Sequence, residues 1–151
     1  MIKSTFTNMN RRAACATLSM LVLSAMSLAV PAASAKDGND GGTTRSRTCI
    51  AGPAISGQTP YGHAEIRVES DRARSRFNVE VEDVNLDAGT MLDVVVDHAG
   101  ARAKVGTIKL DAKHSGELEL NSQDGDSVPA VQKGDIVIVM NAGVAILTGV
   151  F

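Results

Sequence analysis

The feature that most restricts this chain is a two-residue rhythm of apolar and charged side chains. Ala64, Ile66 and Val68 alternate with Glu65, Arg67 and Glu69, and Phe77, Val79 and Val81 alternate with Asn78, Glu80 and Glu82. Leu92, Val94 and Val96 alternate with Asp93 and Asp97, with Val95 out of step, and Leu118 and Leu120 stand between Glu117, Glu119 and Asn121. A strand sends successive side chains to opposite faces, so this rhythm describes extended segments with one dry and one wet face. Residues 136–140 are apolar throughout, which predicts a central strand covered on both faces. Further strands are predicted at 48–55, 103–110 and 145–151. Turn formers such as Asp87-Ala88-Gly89, His98-Ala99-Gly100 and Asn141-Ala142-Gly143 fill the gaps, and no window carries a helical stripe.

About eight short antiparallel strands at regular spacing predict an all-β sandwich or small barrel of Ig-like or Greek-key style. Ile66, Phe77, Val79, Val94, Leu118 and Ile138 are expected to share its interior. The stretch from Phe77 to Gly106 has an echo from Glu117 to Gly149: a charged strand, a loop ending in glycine, an apolar strand, a turn, and a strand reaching glycine. Two related three-stranded halves would then pack on one another as the layers of a sandwich.

Residues 1–35 carry a different signal. Lys3, Arg11 and Arg12 precede an apolar run from 13 to 30, Pro31 breaks it, and Ala33-Ser34-Ala35 suits a signal peptidase. The expected organisation is a signal peptide over 1–35, a flexible polar leader over 36–46 and one all-β domain over 47–151. An uncleaved anchor is the alternative for the first segment. Cleavage would remove three of the 15 basic residues and none of the 17 acidic ones, leaving a net charge of −5. Such a surface does not favour nucleic acid or anionic lipid. It would also leave Cys49 without Cys15 as a partner, and so as a buried thiol or one open to an intermolecular bond.

The segments RFNVEVEDVNLDAGT, VGTIKL, GELELNSQDG and AILTGVF resemble small secreted β-domains of bacterial exported proteins. That resemblance covers most of the chain after residue 36. It implies the β-fold and an exported location, and it brings no activity or site with it.

Chemistry-bearing residues are sparse. His63, His98 and His114 sit in or beside turns, and a metal reading would join two of them to Asp97 or Asp111. His98 and His114 are expected at opposite ends of one strand, which keeps them apart. Asn121 to Asp126 has the oxygen density of a calcium loop, with Asp124 and Asp126 as its carboxylates, but Lys133 stands where a closing glutamate belongs. No serine sits in a nucleophile elbow. The carboxylate pairs Glu80/Glu82 and Glu117/Glu119 fall on wet faces, away from the clefts that general acids need. Arg72, Arg74 and Arg76 form a basic run with few aromatics to stack bases. A hairpin matching Val68 to Phe77 would set Glu69 opposite Arg76 and account for the run by cross-strand pairing. Phe151 is compatible with an outer-membrane barrel, but strand lengths and missing aromatic girdles argue against insertion of the mature chain.

The expectation is therefore a non-enzymatic, exported domain, periplasmic or extracellular, that binds no cofactor and works by contact with another envelope or extracellular protein. Strand addition beside the first strand, around Cys49, or the last, ending at Phe151, would be one route. A small-ligand or metal-binding protein is the alternative.

Overall fold

A computed structural model describes residues 38–40 and 42–151; the expected signal segment lies outside them. Within this range the chain forms nine strands: β1 (Gly38–Asp40), β2 (Thr43–Ala51), β3 (Tyr61–Glu69), β4 (Arg74–Glu82), β5 (Met91–His98), β6 (Ala101–Lys109), β7 (Gly116–Asn121), β8 (Ile136–Asn141) and β9 (Val144–Val150). Every pairing is antiparallel. The order is β6-β5-β8-β9-β2-β3-β4-β7, with β1 added to β2. The result is the all-β fold expected from the rhythm, one sheet curled into a nearly closed barrel.

Two four-stranded layers make up this sheet. The hairpin layer holds β6, β5, β8 and β9, and the meander layer holds β2, β3, β4 and β7. They join where β2 crosses β9, through the pairing of Ala51 with Thr148 and a hydrogen bond from Thr48 Oγ1 to the Val150 carbonyl at 2.7 Å. Glycine is required at this crossing, because a Cβ on Gly149 would lie 2.4 Å from the Cys49 carbonyl oxygen. On the far side β6 and β7 are not paired through their backbones; Leu118 packs over Gly106, and Ile108 against Gly116.

The interior is what the alternation predicts. Ile66, Phe77, Val79 and Val94 are buried in one cluster with Leu92, Ile108, Val137, Val139 and Leu147, while Leu118 packs against it half-buried. Phe151 closes one end, its ring tilted against Phe77 at 6.4 Å. Ile138 departs from the expectation. Val137 and Val139 take the inward positions of β8, so Ile138 and its partner Val95 point away from the cluster, although both are buried. A strand apolar on both faces carries no rhythm from which to choose its inner side.

The internal echo is structural, but its halves are not the layers. Each contributes one strand to the meander layer (β4, β7) and one hairpin to the other (β5-β6, β8-β9). Val95 faces Ile138 and Phe77 faces Leu120, pairs that are each 43 positions apart, as a two-fold relation between the halves requires. Both hairpins turn on Ala-Gly, with Ala99 and Ala142 at φ 50° and 48° and the following glycines at 89° and 83°. These are the two positive-φ positions of a type I′ turn. Both halves also end in the same clasp. Gly89 N–H donates to the Leu110 carbonyl and Leu110 N–H to that of Thr90; Gly134 N–H donates to the Phe151 carbonyl and Phe151 N–H to that of Asp135.

Three further differences concern strand limits and edges. Residues 43–46, expected in a leader, extend β2 and pair with β3, where Arg45 reaches Glu65 at 2.6 Å. The strand around Cys49 and the strand leading to Phe151 are interior to the sheet, so neither offers the edge expected for strand addition; the ends of the order are β6 and β7. Finally, Ser70–Arg72 form a 3₁₀ turn closed by Ala73 at φ 46°, which sets Glu69 opposite Arg74 and Arg67 opposite Arg76.

Candidate functional site

That last register decides where the polar chemistry collects. On the outer face of the meander layer the side chains run in rows across the strands. One row is Arg45, Arg67, Arg76 and Asn121; the next is Arg47, Glu65, Asn78 and Glu119; a third is Cys49, His63, Glu80 and Glu117. Because Arg76 stands beside Arg67 and not Glu69, the carboxylate expected to neutralise it is spent elsewhere. Glu69 is 6% exposed and takes Arg67 at 3.0 Å and Arg72 at 3.8 Å.

Between these rows lies a recess of about 130 Å³ lined by Glu65, Arg67, Arg76, Asn78 and Glu119. Two of its lining residues each hold a buried polar atom without a hydrogen-bond partner, Arg76 Nε and Asn78 Oδ1. An unsatisfied buried polar group costs about 1–3 kcal/mol, and native folds keep few of them. The neighbours are committed: Arg45 holds Glu65, Arg67 is held by Glu69, and the Asn78 amide nitrogen donates to Glu117 Oε1 at 2.6 Å. The bond from Arg45, reinforced by the Glu65 charge, raises the Arg45 pKa further. Arg76 and Glu119 make no ion pair among the described residues. The strong groups left over are one guanidinium, one carboxylate and one amide oxygen.

The residues singled out in the sequence are dispersed. His63 lies on the meander face, 3.4 Å from Glu80, and burial together with Arg47 lowers its pKa despite that carboxylate. His98, at the start of the β5-β6 turn, places Nδ1 2.7 Å from the buried carboxylate of Asp135. His114 lies beyond the other end of β6, its Nδ1 2.9 Å from the Leu86 carbonyl. Asp97 accepts from Arg102 at 2.9 Å and from Gly100 N–H, and both bonds hold its pKa low. Asp111 is likewise lowered by the N–H groups of Ser115 and Lys113. Among the described residues no three metal-ligating groups come together.

Asp124 and Asp126 do not converge on an ion site. Asp124 accepts from the Asn121 side chain at 2.7 Å and Asp126 from the Asn121 backbone at 3.0 Å, which fastens the 3₁₀ turn Ser122–Asp124. Cys49 sits half-buried on the meander face and is disulfide-bonded, so the thiol expected from the sequence is not free here. Among the described residues no helix is long and apolar enough to cross a membrane.

The recess is the feature that the sequence did not reveal. Its signal was the crowding of arginines at 67, 72, 74 and 76, but which of them lacks a partner depends on the β3-β4 register. No known protein-family model matches the chain, and no curated protein is similar to it.

Proposed function

We propose that this chain is a non-enzymatic contact domain of the cell envelope or exterior, and that the outer face of the meander layer is its working surface. The observation that carries this reading is how the cations are divided. Six of the seven arginines among the described residues, Arg45, Arg47, Arg67, Arg72, Arg74 and Arg76, belong to the meander layer or its turn, while Arg102 and all four lysines, Lys104, Lys109, Lys113 and Lys133, lie on the hairpin layer or in loops. Protein interfaces enrich arginine and tyrosine and deplete lysine. The planar guanidinium is more weakly hydrated and binds carboxylates with two hydrogen bonds, so it loses less on contact than an ammonium does. Tyr61 adds its ring to the same face and donates to Glu82. The terminal segment 1–35 supports the exported location, and a structural or adhesive role follows from a surface built to be covered.

Charge reversal tests this. An Arg47→Glu, Arg67→Glu variant and a Lys104→Glu, Lys109→Glu variant are immobilised beside the natural chain and exposed to envelope extract at moderate salt. The expected result is a protein retained by the natural chain and the lysine variant and lost by the arginine variant. The reading fails if both variants retain the same proteins as the natural chain, or if nothing is retained.

A further inference from the structure

We propose that the recess between β3, β4 and β7 binds a free α-amino acid with a small side chain. The reasoning starts from what the fold leaves unused. Arg76 Nε is a buried donor without an acceptor, and Asn78 Oδ1 is a buried acceptor without a donor. Glu119, directly across from Asn78, adds an uncommitted carboxylate to the same recess. Arg67 and Glu65 line it too, but Glu69 and Arg45 occupy them.

The complement of these groups is a zwitterion. A carboxylate would accept from Arg76, and an ammonium would donate to Asn78 and Glu119. Residues 76 and 78 lie on one face of β4, and both line the recess together with Glu119 of the neighbouring strand. A simple anion would meet Glu119, and a simple cation would meet Arg76, so each is opposed by a charge that the zwitterion satisfies. Size narrows the class. The recess of about 130 Å³ equals roughly four waters of liquid, room for glycine, alanine or serine, while a longer side chain would have to project into solvent. The site needs no protein partner and stands apart from the contact role proposed above.

The test is titration of the ¹⁵N-labelled full chain with glycine and L-alanine, following the Arg76 Nε–H and Asn78 side-chain amide signals. Acetate, methylamine, N-acetylglycine and glycinamide are titrated in parallel. Saturable shifts confined to the recess are expected for the amino acids, with each single-charge analogue at least tenfold weaker. Arg76→Gln and Glu119→Gln should each weaken binding by ten- to a hundredfold, and Lys104→Gln should leave it unchanged. Thermal unfolding of each variant, together with its spectrum outside the recess, separates loss of fold from loss of site. The proposal is overturned if amino acids produce no saturable shift, which would leave ordered water as the partner of the two buried atoms. It is also overturned if acetate or methylamine binds as well as glycine, or if both charge variants bind like the natural chain. A failed pull-down with intact glycine binding would sink the contact role alone.

Discussion

The two layers share one interior and carry opposite outer surfaces. On the hairpin layer Lys104 pairs with Asp93 at 2.7 Å and Arg102 with Asp97 at 2.9 Å, and His98 Nδ1 lies 2.7 Å from Asp135. On the meander layer the arginines are set side by side, and Arg76 is left with a buried nitrogen and no acceptor. A face whose charges are mutually satisfied serves the fold. One that stores unmatched polar groups costs stability, a cost that the proposed binding role would offset.

The largest test of this contrast concerns the joint between the layers. In Gly149→Ala the new methyl would press on the Cys49 backbone, which cannot give way as a side chain would, so a loss of about 3 kcal/mol in denaturant unfolding is expected. Next comes the matched side. Asp135 is buried and accepts from Gln132 N–H at 2.8 Å while pairing with His98, so Asp135→Ala should cost about 2 kcal/mol in the same measurement. A value near zero would remove the claim that the hairpin layer's charges serve the fold.

The repeat supplies an internal control. Ala99 and Ala142 both adopt a backbone that disfavours a Cβ, so Ala99→Asn and Ala142→Asn should each raise stability by roughly 0.5–1 kcal/mol, and by similar amounts. On the unmatched side, Arg76→Met removes an unsatisfied buried donor and should raise the unfolding free energy by about 1 kcal/mol. A large loss there would mean that Arg76 supports the fold after all.

The smallest effect is in pH. Burial lowers the His63 pKa below its usual 6.5, so as the pH falls past that value the unfolded chain takes up a proton before the folded one does. Stability from this group is complete above pH 6.5 and declines as the pH drops toward the folded value. His63→Gln should flatten that part of a Tm-against-pH curve; an unchanged slope would assign it to other groups.

The alternation made most of the strands legible, because burying one side of an extended segment leaves a period of two in the sequence. It could not choose the β3-β4 register. The expected pairing of Glu69 with Arg76 and the observed pairing with Arg74 differ by two residues, and a two-residue slip keeps every side chain on its own face. The 3₁₀ turn and the left-handed Ala73 make that choice, and Ala73 carries no glycine or asparagine to announce it. The bulges that shift pairing at Val94/Val95 and at Val139/Met140 were hidden for the related reason that β5 and β8 are apolar on both sides there. The recess depends on that slip, so only coordinates could disclose it.

The unpaired boundary between β6 and β7 has a consequence for how the molecule breathes. The β2-β9 joint keeps one backbone pair and the Thr48 hydrogen bond, while between β6 and β7, where Leu118 rests on Gly106, there is no pairing at all, so the ring parts first at that place. Deuterium should therefore enter the outward amides of these two strands well ahead of those in β5, β8 and β3, whose N–H groups have ladder partners on both sides.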